Sequence, residues 1–347
     1  MRRLSVIIPN FNYGEFVGQA IASALSVEWP DVEVIVVDDG SEDDSRDVIA
    51  TFGNRIVAIS QVNSGPRVAC NVGYAASTGD VVIFLDSDDV LDPTIATEVA
   101  AVWRPSISKV QMQMRRMDRY GLTFGAPFPK FRAVPTPEQI RRWMIATTAY
   151  PTPPGSGNAY SRVFLDKLLP LDDRCGDATD SACLAAAPFL GDVVTLAKPL
   201  VGYRVHGANR SDLMTDPARF SRQIERALQR HRFAVSLSPD IPRPDPIAPL
   251  FRSRHLLQMR IAEHRLNGGS PPIPGDSKVR MAADSVRTVF SPGPDPIAFR
   301  VLGAVWCAAT LAAPALLARR LIGLRFHQRV GPRRASATAQ ADRRTPA

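Results

Sequence analysis

The chain has 347 residues, 45% of them hydrophobic, four cysteines and a formal net charge of +8. That length accommodates one large domain with an appendage or two domains. The scattered Cys70, Cys175, Cys183 and Cys307 lack the spacing of a thiolate metal site or redox pair and read as free thiols of a reducing compartment.

Arg2-Arg3 leads straight into a strand pattern, so no secretory leader is expected. Leu4 to Pro9 is a short apolar strand ended by Pro9, which has no N–H for a ladder. Asn10-Phe11-Asn12-Tyr13-Gly14 reads as a turn, and a helix pattern follows from about Phe16 to Ser26. Val32 to Val37 is a second strand, ending in Asp38-Asp39-Gly40-Ser41, with Ser41 placed to cap a helix running to about Phe52. Arg55 to Ile59 is a weaker strand, and Asn63-Ser64-Gly65-Pro66 opens a helix that stops at Thr78-Gly79. Val81-Val82-Ile83-Phe84-Leu85 then has the unbroken apolar character of a strand buried on both faces. This alternation predicts a doubly wound α/β sheet, whose ligands lie outside the carboxyl ends of the strands.

At the end of that central strand stand Asp86, Asp88 and Asp89, carboxylates that resist burial unless something neutralises them. An Asp-x-Asp pair suits Mg²⁺ or Mn²⁺, which take oxygen ligands and keep positions open for water and phosphate. Capping the next helix is the alternative use, and Asp92 followed by Pro93 is better placed for it.

Further on, residues 108–132 read as extended, 138–147 as helix and 150–157 as a Pro/Gly loop. A helix is expected over 178–190 and a strand over 193–196, followed by Tyr203-Arg204-Val205-His206 and on to Ser211. Basic helices at about 217–235 and up to about 266 flank a Pro-rich linker at 239–249, and Gly and Pro recur over 268–275. The charge is lopsided: residues 1–215 hold 20 Lys and Arg against 25 Asp and Glu, whereas 216–347 hold 22 against 9. The back half thus favours an anionic partner. Nucleic acid is a poor fit, because the positive charge lacks interleaved aromatic residues. Within a helix expected over 297–324, Val301 to Ala318 are eighteen residues without a charge, bounded by Arg300 and Arg319-Arg320. The run reaches the lower length limit of a membrane span, but Pro314 and the six alanines from Ala304 to Ala315 weaken it. An interfacial or a buried helix fits it equally, and the basic flanks suit anionic lipid. The tail from Gly331 has a disordered composition.

Four blocks together resemble the inverting glycosyltransferase family 2, whose catalytic domain has the GT-A fold. They are Val6-Ile7-Ile8-Pro9-Asn10-Phe11-Asn12, Val37-Asp38-Asp39-Gly40-Ser41, Asn71-Val72-Gly73 through Ser77-Thr78-Gly79-Asp80, and Phe84 through Asp89. The resemblance is good to about residue 100 and fainter to about 211. It implies a GT-A domain over 1–215, followed by a helical basic region over 216–330 and a tail over 331–347. It also implies transfer of a sugar from a nucleoside-diphosphate donor to an acceptor hydroxyl, in polysaccharide or glycolipid assembly, with a glycan or lipid-linked acceptor. Asp38 takes the position used for uracil, with Asp39 beside it, and Pro9, Phe11 and Asn12 wall the nucleoside. Asn71 faces ribose or Asp86, and Arg67 meets phosphate, although Cys70 stands where the family often has a basic residue. Asp86 and Asp88 bind the cation, and His206 ligates it or touches the diphosphate. The family's usual Glu-Asp pair has become Thr179-Asp180, which leaves Asp180, then Asp177, as the general base. Gly155, Ser156, Gly157 and Arg162 line the acceptor side.

Two other readings stay open. A non-catalytic nucleotide-sugar-binding module would account for the altered Thr179-Asp180. A sugar-1-phosphate nucleotidyltransferase would need a Gly-rich basic loop after the first strand, and Pro9-Asn10-Phe11-Asn12 is not one.

Overall fold

A computed structural model describes residues 2–172, 179–206, 218–237, 253–267, 273 and 275–326. Asp177, Cys175, the 239–249 linker, the stretch from Asn209 to Ser211 and the tail from Gly331 lie outside the described residues.

The first unit alternates strand and helix: β1 (Leu4–Asn10), α1 (Gly14–Leu25), β2 (Val32–Asp38), α2 (Ser45–Ala50), β3 (Val57–Ser60), α3 (Pro66–Ala76) and β4 (Val81–Phe84). A two-residue β5 (Val90–Leu91), α4 (Ile95–Val102), β6 (Ile107–Met117), β7 (Thr123–Phe128), α5 (Pro137–Thr147) and β8 (Asn158–Ser161) follow. Then come a single helical turn, α6 (Arg162–Leu165), the longer α7 (Thr179–Leu190) and β9 (Asp192–Arg204). Helices α8 (Ala218–Ser236), α9 (Arg254–Leu266), α10 (Lys278–Phe290), α11 (Ile297–Ala312) and α12 (Ala315–Phe326) complete the described chain.

Among the described residues nine strands form one sheet in the order β3-β2-β1-β4-β8-β6-β9-β5, with β7 paired to β6. The first four strands are parallel, and β8 is antiparallel to both β4 and β6. The sheet is therefore mixed beyond β4, with β6 and β9 again parallel. Alternate residues of β1 feed opposite cores: Val6 and Ile8 pack with α1, whereas Ile7 packs with α3 and α7. Burial on both faces is what the unbroken apolar runs require.

One strand end and two helix starts differ from the sequence expectation. β1 continues through Pro9 to Asn10, because Pro9 faces the β4 side beyond the last pair, Ile7 with Phe84, so its missing N–H removes no ladder bond. α2 begins at Ser45, not near Ser41; the Ser41 hydroxyl instead accepts bonds from Asn10 Nδ2 and the Asn12 N–H. Asp92 is likewise not the cap of α4. Its Oδ1 accepts the Thr94 N–H and hydroxyl at 2.9 and 2.6 Å, and the helix starts at Ile95.

Gly73 of α3 crosses β1 so closely that a Cβ there would stand 2.4 Å from Ile7 Cγ2 and 3.2 Å from Val37 Cγ2. Both neighbours are fully buried. Gly73→Ala should therefore destabilise by about 1–3 kcal/mol through overpacking, read as a lower urea midpoint at unchanged m.

At the pole opposite the strand ends, Glu33 Oε1 accepts the Ser5 hydroxyl and the Thr78 and Gly79 N–H groups at 2.6, 2.6 and 3.0 Å. Partial burial acts to raise its pKa, but the bonds from Ser5 and Thr78 and the Arg3 charge outweigh that and hold it below 4.5. A depressed folded pKa contributes stability above the unfolded pKa and loses it as pH falls through the folded one. Glu33→Gln should cost about 1 kcal/mol at neutral pH and almost nothing once the pH has fallen below the folded pKa of Glu33. Urea midpoints at the two pH values check this, and an equal cost at both would exclude the charge as its source.

Candidate active site

The carboxyl ends of β1, β2 and β4 open on a cleft of about 470 Å³ lined by Pro9, Phe11, Tyr13, Asp39, Asp86 and Asp88, with Asn63, Gly65 and Pro66 on one wall and Tyr203 on another. It forms where the chain leaves parallel strands in turns. The Leu85 N–H still donates to Ile7 O at 2.9 Å, and at the next residue the chain departs into Asp86 to Asp89.

Asp86, Asp88 and Asp89 each offer an oxygen, all within 4.8 Å of one another. Asp86 opens to the cleft, Asp88 is half-buried and Asp89 is fully buried. Loss of hydration, and then the negative charge of Asp88 and Asp180, push the Asp86 pKa up. Burial, with Asp86 and Asp88 as neighbours, raises Asp89 well above the ordinary carboxylate range. The Asp89 Oδ1 accepts the Arg204 N–H at 2.9 Å, while its buried Oδ2 has no hydrogen-bond partner among the described residues. Three crowded carboxylates, one with an orphaned oxygen, are a donor set that fits a hard divalent cation. Asp89 was expected in the acidic run but not in the Asp-x-Asp pair, and the structure puts its oxygen with those of Asp86 and Asp88.

The acidic turn is braced from behind. Buried Arg204 donates from Nε to Asp88 O at 2.7 Å, from Nη1 to Arg119 O at 2.9 Å and from Nη2 to Gln19 Oε1 at 2.8 Å. His206 Nε2 lies 2.9 Å from Asp88 Oδ2, and its ring packs between Tyr13 and Phe16. His206 therefore sits against Asp88 and outside the cluster of oxygens, with one ring nitrogen spent on orienting that carboxylate.

Of the two neighbouring aspartates, Asp39 and not Asp38 lines the cleft. Asp38 turns inward: Oδ1 accepts Asn10 Nδ2 at 3.1 Å, and Oδ2 accepts the Ser41 N–H and Arg46 Nε at 3.2 and 2.9 Å. Burial acts to raise its pKa, and hydrogen bonds from Ser41, Arg46 and Asn10 outweigh that and hold it low. Asp39 is the one that reaches the cleft, fixed by Gln61 Nε2 and the Ser64 and Gly65 N–H groups at 2.7 to 2.8 Å. Pro9 and Phe11 line the cleft as expected. Asn12 does not: it adopts φ 58° and its Oδ1 accepts the Glu42 N–H, tying two loops together. Asn71 and Arg67 also turn elsewhere. Asn71 exchanges two bonds with the Leu171 backbone, and Arg67 Nη1 donates to Leu171 O, so both anchor the segment that leads toward α7. Tyr13, Asn63 and Tyr203 are lining residues that the motifs did not single out.

Behind Asp86 lies the buried turn Gly155–Gly157. Ser156 is buried beneath Asp86 and accepts its N–H at 3.0 Å. A Cβ on Gly155 would stand 3.5 Å from Asp180 Cβ and 3.8 Å from both Asp86 oxygens, so Asp180, in the first turn of α7, closes the same space. Gly157 faces away, against Pro153 and Met114. Arg162 is at the opposite end of the sheet, since Ser161 pairs with Val81 at the start of β4. There it donates to Gly79 O and Ser77 Oγ at 2.6 and 2.7 Å and has no place on the acceptor side. Buried Lys109 fixes the loop before this turn by bonding Thr152 Oγ1 at 3.0 Å and lying over the Tyr150 ring, and burial drives its pKa well down.

Residues 5–168, which run from the second residue of β1 through β4 and the Gly155 turn, match the sequence model of Glycosyl transferase family 2. An uncharacterized glycosyltransferase of Nostoc sp. is 36% identical over 217 residues, covering 60% of this chain and 66% of the relative. Glycosyltransferase GlyG of Streptococcus pneumoniae is 32% identical over 92 residues, 25% of this chain and 31% of that protein. The chain thus spans just under two thirds of the first relative and about a third of the second. Among solved structures, S. aureus TarS 1-349 in complex with UDP superposes with a TM-score of 0.52 at 17% identity, over 89% of this chain and 90% of that one. Mannosyltransferase PcManGT of Pyrobaculum calidifontis, in complex with GDP-Man and Mn²⁺, gives 0.51 at 19% identity, over 92% and 84%. These likenesses place the mixed sheet and its helices in the GT-A fold. The match runs across the ends of β1, β2 and β4 that build the cleft, and residues 5–168 are a domain of glycosyltransferase family 2.

Proposed function

We propose that this chain transfers a glycosyl group from a nucleoside-diphosphate sugar to an acceptor hydroxyl by direct displacement, with inversion at the anomeric carbon. The observation that carries the reading is a cleft lined by Asp39, Asp86 and Asp88, with Asp89 clustered behind them and Asp180 across Gly155 from Asp86, in a fold whose solved neighbours hold UDP or GDP-Man.

Asp39, with Pro9 and Phe11 as an apolar wall, would receive the base and its ring N–H. Asp86, Asp88 and Asp89 would hold a divalent ion, which supplies charge neutralisation of the departing diphosphate. His206 and Arg204 keep Asp88 in its orientation. Asp180, across Gly155 from Asp86, would accept the proton of the attacking hydroxyl. With a single displacement no second carboxylate is needed as nucleophile. Polysaccharide or glycolipid assembly, with a glycan or lipid-linked acceptor, is the process this chemistry would serve.

A panel of uridine- and guanosine-diphosphate sugars with Mn²⁺, read by thermal shift and donor hydrolysis, tests the reading. A uridine donor should stabilise the protein only with metal present. Equal stabilisation after chelation would remove the metal from the account, and no hydrolysis of any donor would favour a binding module without catalysis.

A further inference from the structure

Helix α11 is amphipathic the wrong way round for a helix in water. Its inward face, against α9, carries Gly303, Cys307 and Thr310, all buried. A Cβ on Gly303 would strike Arg254 Cδ at 2.6 Å, so that side accepts only small residues. Its outward face carries Ile297, Val301, Leu302 and Val305 at 45–64% exposure, then exposed Ala308, Ala309 and Ala312, with no polar side chain among them. A soluble helix places its large apolar residues inward.

The charge-free run does not continue as one rod. The chain breaks at Ala313-Pro314 and returns as α12, which Trp306 Nε1 ties back through Leu321 O at 3.2 Å. At the start of α12, Leu316 and Leu317 are 83% and 50% exposed, and exposed Arg319 and Arg320 follow in the next turn. Sixteen residues of α11 span about 24 Å, short of a ~30 Å hydrocarbon core, and no described helix is long and apolar enough to cross a membrane.

The charges choose between the surfaces that could cover this face. Residues 278–326 contain seven Lys and Arg against two Asp. Asp284 is engaged by Arg260 and Arg287, and Asp295 by Arg254, at 2.8 to 3.2 Å. A second copy meeting this face through a twofold axis would bring arginine to arginine with no carboxylate to spare. An anionic bilayer surface offers hydrocarbon to the apolar face and headgroups to the arginines.

We infer that the α11–α12 hairpin is a monotopic membrane anchor, lying in the headgroup region of an anionic bilayer with Val301, Leu302 and Val305 inserted and Arg319 and Arg320 at the phosphates. This goes beyond the donor chemistry and stands or falls separately from it.

The test is sedimentation of the full chain with vesicles of phosphatidylcholine alone or with about a third phosphatidylglycerol. Wild type should bind the anionic vesicles at least about tenfold more tightly, and less so when salt rises from about 0.1 to about 0.5 M. Leu302→Asp with Val305→Asp should abolish binding, while Arg319→Glu with Arg320→Glu should weaken binding to anionic vesicles and leave the residual affinity for neutral ones. Circular dichroism and a cooperative thermal melt unchanged from wild type report that each variant is folded. Wild type remaining in the supernatant with both lipids overturns the proposal. So does a concentration-dependent dimer of wild type that the Leu302/Val305 pair dissolves, which would assign the face to a second copy.

Discussion

Replacing Asp88 with alanine is expected to abolish metal-dependent binding of the donor and to lower kcat/KM by at least about 100-fold. Groups one step outside a metal's own ligands already cost 10–100-fold when removed. Asp88 contributes one of three clustered carboxylates and is itself positioned by two partners, Arg204 at its carbonyl and His206 at its Oδ2. The loss should therefore be graded. His206→Ala removes only the orienting bond and should cost about 10–100-fold, much of it recovered by raising Mn²⁺, because the ligands themselves remain. Asp88→Ala should not recover with Mn²⁺. The measurement is donor-induced thermal shift and hydrolysis across a Mn²⁺ titration; an Asp88→Ala protein that still binds donor in a chelator-sensitive way would place the cation elsewhere.

The second large effect belongs to Asp180. Asp180→Asn keeps the volume and the position in the first turn of α7 but cannot accept a proton, so turnover should fall about 10²–10⁴-fold. Donor affinity should stay within about threefold, because Asp180 stands across Gly155 from the metal group and apart from the nucleoside wall. Water attacking the donor needs the same base, so hydrolysis serves as the assay before any acceptor is identified. Donor affinity falling in step with turnover would make Asp180 a binding residue and return the search for the base to Asp177. These outcomes also separate catalysis from mere nucleotide-sugar binding, for which Asp180→Asn would be silent.

What the sequence determined by itself about this protein is local. Apolar runs that bury both faces, helix patterns with Gly and Pro stops, and an acidic cluster directly after the central strand were enough to put a ligand site at the carboxyl ends of a wound sheet, because each depends on neighbours a few residues away. Only the tertiary structure decided which side chains face that site. Asp38 and Asp39 are equivalent in sequence, but Asn10 and Ser41 draw the first inward and leave the second on the cleft. Asn71 and Arg67 are a hundred residues or more from Leu171, the partner that turns them from the cleft. Arg162 stands five residues after Gly157, yet an antiparallel strand carries it to the far end of the sheet, since strand direction is a property of the pairing and not of the segment. The charge-free run near the end of the chain fitted a span, an interfacial helix or a buried one. The packing of Gly303, Cys307 and Thr310 inward is what leaves its large apolar residues facing out.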